Sequence, residues 1–404
     1  MKYKYQCSDC GAEYDNSKVR YLCPQCSEKN TLDKAPKGVL KCIFDYPAIA
    51  ARGLDNLIHN NFFDLYPINE QKHLPKLRVG STPLYEHLYS MHKKQIRLFI
   101  KDDSQNPTFS FKDRASAMVS AYAQENGIET IVAASTGNAG SSIAGIAAAQ
   151  GQKAIVMVPE SAPIAKLVQI AMYGAKIIPV KGTYDDAFDL SIRATERFGW
   201  YNRNTAFNPL TIEGKKTVAF EIIQQMGFEI PDFVFVPVGD GAIISGVYKG
   251  FEELLVLGLI EKIPKIVAVQ SEGSANIIHN RFKRIPDFVS SNTIADSISV
   301  DIPRNYYMTV NYLFKYAGDG VAIEDANILK AIQELAESFG LFAEPAAATA
   351  FAGMQKYIIE NDIDEHSKCL ILLTGSGLKD VKTAQSIIQI PKAIEPNLDF
   401  LENL

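Results

Sequence analysis

From Ile96 onward, short apolar, β-rich runs alternate with longer stretches whose apolar residues recur every three to four positions. The short runs fall at residues 97–101, 130–134, 153–158, 176–180, 233–238, 266–270 and 370–373. The helical stretches fall at 112–126, 163–173, 184–198, 214–226, 327–339 and 345–361, with further helices ending near 149 and 257. Apolar residues at Ala187, Phe188 and Ile192 show the helical spacing on one face. Strands separated by helices predict an α/β protein, with parallel sheets covered by helices on both faces. Residues 36–97 are less regular: a Pro-Lys-Gly linker, a helix-like run at 48–57, then Gly80-Ser81-Thr82-Pro83-Leu84. The segment T-I-A-D-S-I-S-V at 293–300 fits neither period, and 391–404 reads as a loose tail. The expected organisation is two doubly wound α/β domains, 98–208 and a larger one from 37–97 with 209–404, after a small module at 1–36.

Three strands end in glycine-rich loops. S-T-G-N-A-G-S-S (135–142) and G-D-G-A-I-I-S-G (239–246) each open a helix, whose free backbone N–H groups and dipole make an anion site. A carboxylate fits the first, at Ser135, Thr136 and Gly137. The amide of Asn138 is placed to reach a phenolic oxygen. In the second, Gly239 and Gly241 let the backbone approach a phosphate closely, with Asp240, Ala242 and Ile243 completing the loop. It is not a dinucleotide fingerprint, which belongs in a first βα unit, nor a P-loop, which needs Gly-Lys-Ser/Thr. The charge of Asp240 would repel a phosphate unless it points away. The third loop, T-G-S-G-L-K-D (374–380), puts Thr374 at the carboxyl end of the last strand, where open α/β sheets keep their ligand crevice.

The stretch N-P-T-F-S-F-K-D-R (106–114) leads into the first predicted helix, with Thr108 and Ser110 as candidate caps and Lys112 in the first turn. Beside Phe109 and Phe111, the lysine has a choice of roles. In a dry pocket its pKa falls and the neutral amine attacks a carbonyl, forming a Schiff base. Alternatively it is a surface lysine paired with Asp113, the commoner case for nine residues taken alone.

Composition narrows the class. Net charge is −5 over 404 residues, which argues against a general nucleic-acid binder. No run approaches the about 18 apolar residues of a membrane helix, and the start M-K-Y-K-Y-Q-C lacks a secretory core. The expectation is a cytoplasmic enzyme without membrane or nucleic-acid partners. Four of the six cysteines, Cys7, Cys10, Cys23 and Cys26, form two C-x-x-C pairs, the spacing of a closed structural zinc site; paired disulfides and free thiols are the alternatives. Cys42 and Cys369 read as packing residues.

A Schiff-base lysine, a phosphate cradle, an amide and a hydroxyl would together meet the aldehyde, phosphate, O3′ and ring nitrogen of pyridoxal phosphate. The same residues resemble the fold-type II, tryptophan-synthase-like pyridoxal-phosphate enzymes, and among them the threonine synthase family. N-P-T-F-S-F-K-D-R is similar to that family's N-P-T-G-S-F-K-D-R, S-T-G-N-A-G to its asparagine loop, V-G-D-G-A to its phosphate loop, and T-G-S-G-L-K-D to its T-G-H-G-L-K-D. The likeness runs in the family's order from about residue 80 to 385. It implies Lys112 on the cofactor aldehyde, Asn138 at O3′, Gly239 to Ile243 around the phosphate and Thr374 at the pyridine nitrogen. Phe109 for glycine, Ser376 for histidine, and Asp240 and Ile243 for asparagines depart from the pattern. The implied reaction converts O-phospho-L-homoserine and water to L-threonine and phosphate, with Arg114, Arg203, Lys215 and Lys216 as candidate cations for the substrate phosphate. The family's common homodimer is the assembly the resemblance adds. Other readings stay open: a threonine or serine dehydratase or a cysteate synthase of the same fold type, or an inactive zinc-ribbon scaffold or nucleic-acid binder.

Overall fold

The computed structural model describes all residues except 1, 19, 32, 392 and 394–404; most of the expected tail lies outside the described residues. Three sheets organise the chain. The first is antiparallel, in the order β2-β1-β3, from β1 (Tyr3–Cys7), β2 (Glu13–Asp15) and β3 (Leu40–Phe44). The second holds six strands: β4 (Leu84–Met91), β5 (Lys94–Asp102), β10 (Phe233–Pro237), β11 (Lys265–Ser271), β12 (Asp319–Ile323) and β13 (Lys368–Leu373). Its order is β12-β11-β10-β13-β5-β4, parallel except for the β4–β5 hairpin at one edge. The third, β8-β7-β6-β9, is wholly parallel and built from β6 (Thr130–Ala134), β7 (Lys153–Pro159), β8 (Lys176–Val180) and β9 (Tyr201–Asn202). The expected α/β class stands.

The central strands β10, β11 and β13 are almost entirely buried runs of Val, Ile, Leu, Ala and Phe, as parallel strands covered on both faces must be. One face meets the helix Pro345–Glu360, whose alanines at 346, 347, 348, 350 and 352 allow close approach. Helices Lys112–Glu125, Leu210–Gln225 and Ala242–Val256 pack together in the larger core. Glycines set their spacing: a Cβ at Gly214 would lie 2.1 Å from the Arg114 carbonyl oxygen, and one at Gly250 would lie 2.4 Å from that of Lys216. With no side chain at the crossings, the helix backbones come into contact.

Several elements were not legible in the sequence. β4 is an exposed edge strand carrying Glu86 and His87, β12 is only five residues, and β3 lies beyond the expected 1–36 module yet completes its sheet. The unplaced 293–300 segment contains a short 3-10 turn, Asp296–Ile298, with Ala295 buried. No described helix is long and apolar enough to cross a membrane.

Candidate active site

The lysine stretch is stitched to the last glycine-rich loop. Phe111 N–H donates to the Thr374 carbonyl at 2.8 Å, Ser376 N–H donates to the Phe109 carbonyl at 3.1 Å, and Ser110 bridges Gly375. Lys112 opens the helix Lys112–Glu125 directly after it. The helix start differs from the expected capping. Neither Thr108 nor Ser110 caps it; instead the buried Asp113 carboxylate accepts the Thr108 N–H, at 2.7 Å, and its hydroxyl. This removes the surface reading of Lys112, because Asp113 is committed to Thr108 and is not a solvated partner.

The other loops arrive at strand ends. Ser135, Thr136 and Gly137 follow β6, and Asn138 begins the helix Asn138–Ala149. The Asn138 amide donates to Ser297 at 3.2 Å and to both carboxylate oxygens of Glu344 at 3.0 Å. Gly239 to Ile243 follow β10 and start the helix Ala242–Val256, with Gly241 at φ +88°, a left-handed conformation suited to glycine. The Thr309 hydroxyl and the Asn305 amide donate to the Gly241 carbonyl from behind, at 3.0 and 3.3 Å. A Cβ at Gly239 would meet Ile298 at 2.9 Å, so this loop is a close-fitting backbone cradle. Asp240 turns its carboxylate onto the Ala242 N–H at 2.9 Å, closing a tight turn just ahead of the helix that follows. Thr374, at the end of β13, is buried, and its hydroxyl makes no hydrogen bond among the described residues.

Charge converges on this region. Lys112, Arg203 and Lys215 interact with one another and with Asp240, which is the leading counter-charge for each. Burial pushes all three cations below their ordinary pKa ranges, Arg203 down to about 10, with Asp240 opposing the shift. Arg203 and Lys215 are each only 1% exposed and form no ion pair among the described residues; one terminal guanidinium nitrogen of Arg203 has no hydrogen-bond partner. Two buried cations without an ion pair leave an excess of positive charge in a dry site, which calls for an anion such as phosphate. Glu344, beside Asn138 and within reach of Lys112 and Lys379, is pushed above the usual carboxylate range by burial.

Next to these groups opens a cleft of about 470 Å³ lined by Phe109, Thr136, Gly137, Asn138, Glu344 and Lys379, among others. Lys379 reaches across its floor to the Thr108 carbonyl, the Ser141 hydroxyl and the Gln169 amide oxygen at 2.7–3.1 Å. Phe109 stands at the cleft with φ +67° and is 47% exposed, a bulky residue held in a conformation that favours glycine.

The expectation for Arg114 is corrected. Its guanidinium bonds to both carboxylate oxygens of Asp103 and of Glu221, and to Thr217 and Thr82, which leaves no donor for a substrate. Lys216 is similarly spent on Glu213 and Glu253. Glu344 is the site residue that sequence reasoning missed; its only local signal is its place just ahead of the proline-started helix Pro345–Glu360.

Residues 76–375 match the family described as pyridoxal-phosphate dependent enzyme. The chain is 33% identical to the threonine synthase of Methanocaldococcus jannaschii, over 99% of this chain and 98% of that one. The chain belongs to the threonine synthase family of pyridoxal-phosphate dependent enzymes. The threonine synthase of Halalkalibacterium halodurans is 36% identical over 84% of this chain and 95% of its own. Maize serine racemase superposes with a TM-score of 0.65 at 25% identity, covering 81% of this chain and 94% of that one. The structure passes a direct test of fit to the family's cofactor: a side-chain-free cradle at Gly239 and Gly241, a desolvated lysine at a helix start, and an unpartnered Thr374 hydroxyl converge at the strand ends.

Proposed function

We propose that the protein converts O-phospho-L-homoserine and water to L-threonine and phosphate, with the six-stranded sheet carrying the phosphate cradle and the four-stranded sheet carrying the asparagine loop. The observation that carries this reading is the pair of buried cations Arg203 and Lys215, each 1% exposed and without an ion pair among the described residues, beside Lys112 and the carboxylate of Asp240. A substrate with a phosphate of its own supplies the charge that a dehydratase substrate such as threonine or serine lacks.

Bound pyridoxal phosphate would supply an electron sink for negative charge developing on the substrate carbons. Gly239, Asp240, Gly241, Ala242 and Ile243 would hold its phosphate through main-chain N–H groups, Asn138 would meet its O3′, and Thr374 its ring nitrogen. Lys112 would hold its aldehyde. Lys112 carries protons at the substrate Cα and Cβ; desolvation favours the neutral amine that this work requires. Ser135, Thr136 and Gly137 offer the N-terminus of the helix Asn138–Ala149 to the substrate carboxylate. Arg203 and Lys215 bind the γ-phosphate, whose C–O bond breaks as phosphate departs; Cγ then takes up a proton to become the methyl group, water adds its hydroxyl at Cβ, and the remaining proton of the water leaves with the phosphate. Cys7, Cys10, Cys23 and Cys26 would hold a structural zinc ion. Their sulfur atoms lie within 4.8 Å of one another, with Cys10 and Cys23 3.9 Å apart; tetrahedral Zn–S bonds of about 2.3 Å would place sulfurs about 3.8 Å apart.

Borohydride reduction followed by peptide mass spectrometry tests the assignment of Lys112. The expected result is one cofactor-labelled peptide, containing Lys112, together with loss of label and at least a 100-fold fall in phosphate release in Lys112→Ala. Label on a different lysine would overturn it.

A further inference from the structure

We infer that the N-terminal cysteine module is a positioning device for the anion site, acting through Tyr21 and β3 on the segments that carry Arg203 and Lys215. This rests on the proposal above that those two cations hold the substrate phosphate and that the four cysteines hold zinc.

The module lines no part of the 470 Å³ cleft. It nevertheless touches the chain one residue away from each of the two cations. Tyr21 lies between the two C-x-x-C pairs, two residues before Cys23. Its hydroxyl oxygen accepts the Asn202 N–H at 3.0 Å, and Asn202 precedes Arg203. The Tyr21 ring stacks on Phe207 at 4.4 Å and 18°, and lies 6.0 Å from the Tyr201 ring. Tyr21 thus clamps the 201–207 segment on both sides of Arg203. Asn202 is fully buried, so its N–H would be left unpaired without the tyrosine oxygen.

The second attachment runs through β3. Cys42 donates its N–H to Glu213 at 3.0 Å, and the Lys216 ammonium sits 4.5 Å from the centre of the Phe44 ring. Glu213 and Lys216 flank Lys215 on the helix Leu210–Gln225. β3 is in turn held by β1, which ends at Cys7: Cys7 pairs with Leu40 and Tyr5 with Cys42. Zinc on the four thiolates therefore fixes the turn bearing Tyr21 and the strand pairing that places β3.

Arg203 is the cation that depends most on such support. Among the described residues its side chain has a single hydrogen bond, from Nε to Ser116 at 3.2 Å, so its backbone largely determines where the charge points. Releasing the module loosens that backbone, lowers affinity for phosphate and raises KM for the phosphorylated substrate more than it lowers kcat.

The test measures the dissociation constant of the holoenzyme for inorganic phosphate, together with kcat, KM, bound cofactor absorbance and zinc content. Tyr21→Phe keeps the ring and removes the accepting oxygen; Tyr21→Ala removes both; Cys10→Ser with Cys26→Ser removes half of the metal shell. Tyr21→Phe is expected to weaken phosphate about fivefold, the worth of one hydrogen bond, and Tyr21→Ala and the cysteine variant more, with cofactor absorbance retained. Phosphate affinity within twofold of the parent in Tyr21→Ala and in the cysteine variant overturns the inference. Arg203→Gln separates the two levels. If it weakens phosphate while the Tyr21 variants do not, only the coupling fails; if it too leaves phosphate unchanged, the cation assignment fails. Absence of zinc in the purified parent refutes the metal part, and the Tyr21 variants then decide the contact alone.

Discussion

Replacing Gly214 with alanine should damage activity through helix spacing. A Cβ at this position would lie 2.1 Å from the Arg114 carbonyl oxygen, 2.7 Å from the carbonyl carbon and 2.8 Å from Ala115 Cα. All three are backbone atoms, so no side chain can swing aside. Ordinary contact begins at 3.4 Å, so the helices Lys112–Glu125 and Leu210–Gln225 must part by about 1.3 Å, the difference from 2.1 Å. Arg114 resists that movement because its ion pairs to Asp103 and Glu221 tie its helix in place. Overpacking of this kind costs about 1–3 kcal/mol, partly offset by about 1 kcal/mol from the better helix propensity of alanine. The net loss of stability is thus modest, and the variant should remain folded at 25 °C. One helix opens with Lys112 and the other carries Lys215, so the same displacement reaches both amines. A misplacement near 1 Å costs about 100-fold in rate. Urea unfolding should therefore show a small fall in midpoint, while steady-state phosphate release shows kcat/KM down by about two orders of magnitude. A Gly214→Ala enzyme within threefold of the parent would refute the claim that this crossing sets the distance between the two amines.

Phe109 at φ +67° gives a second prediction. Phe109→Gly should be more stable than Phe109→Ala by about 1 kcal/mol, because both lose the ring and only glycine relieves the left-handed strain; equal urea midpoints would show that no strain is held there. For Glu221, burial raises the carboxyl pKa, but Arg114 and Lys101 outweigh it and hold the group at about 2, against an ordinary 4.5. The unfolded chain therefore binds more protons between those values, and stability present above pH 4.5 is lost as the pH falls toward 2. Unfolding measured from pH 5 to 3 should fall more steeply in the parent than in Glu221→Gln, and equal slopes would remove the ion pair from the account.

Much of the architecture was legible where local signals agree. The strands 130–134 and 176–180 and the helix 184–198 appear with the expected bounds. That helix carries a Thr183–Asp186 capping box at its start and Gly199 in the left-handed conformation at its end, so both limits are written locally. β4 escaped because one face of an edge strand is wet, and the charges there erase the apolar run. In the candidate site, the glycine-rich loops and Lys112 could be recognised from their neighbours in sequence. Burial of charge could not. Arg114, Arg203 and Lys215 are equivalent as letters, and only the packing consigns the first to Asp103 and Glu221 while leaving the other two without an ion pair among the described residues. Glu344 was invisible for the same reason: its carboxylate meets Asn138 across 206 positions of sequence.

Product analysis of the purified enzyme is the most direct test of the proposed reaction. O-phospho-L-homoserine, O-phospho-L-serine, L-threonine and L-serine are offered separately, and phosphate, threonine and keto acids are quantified. Equimolar threonine and phosphate are expected from O-phospho-L-homoserine, with far slower turnover of the other three. Phosphate released only from O-phospho-L-serine, or a keto acid formed from threonine as the main product, would contradict it.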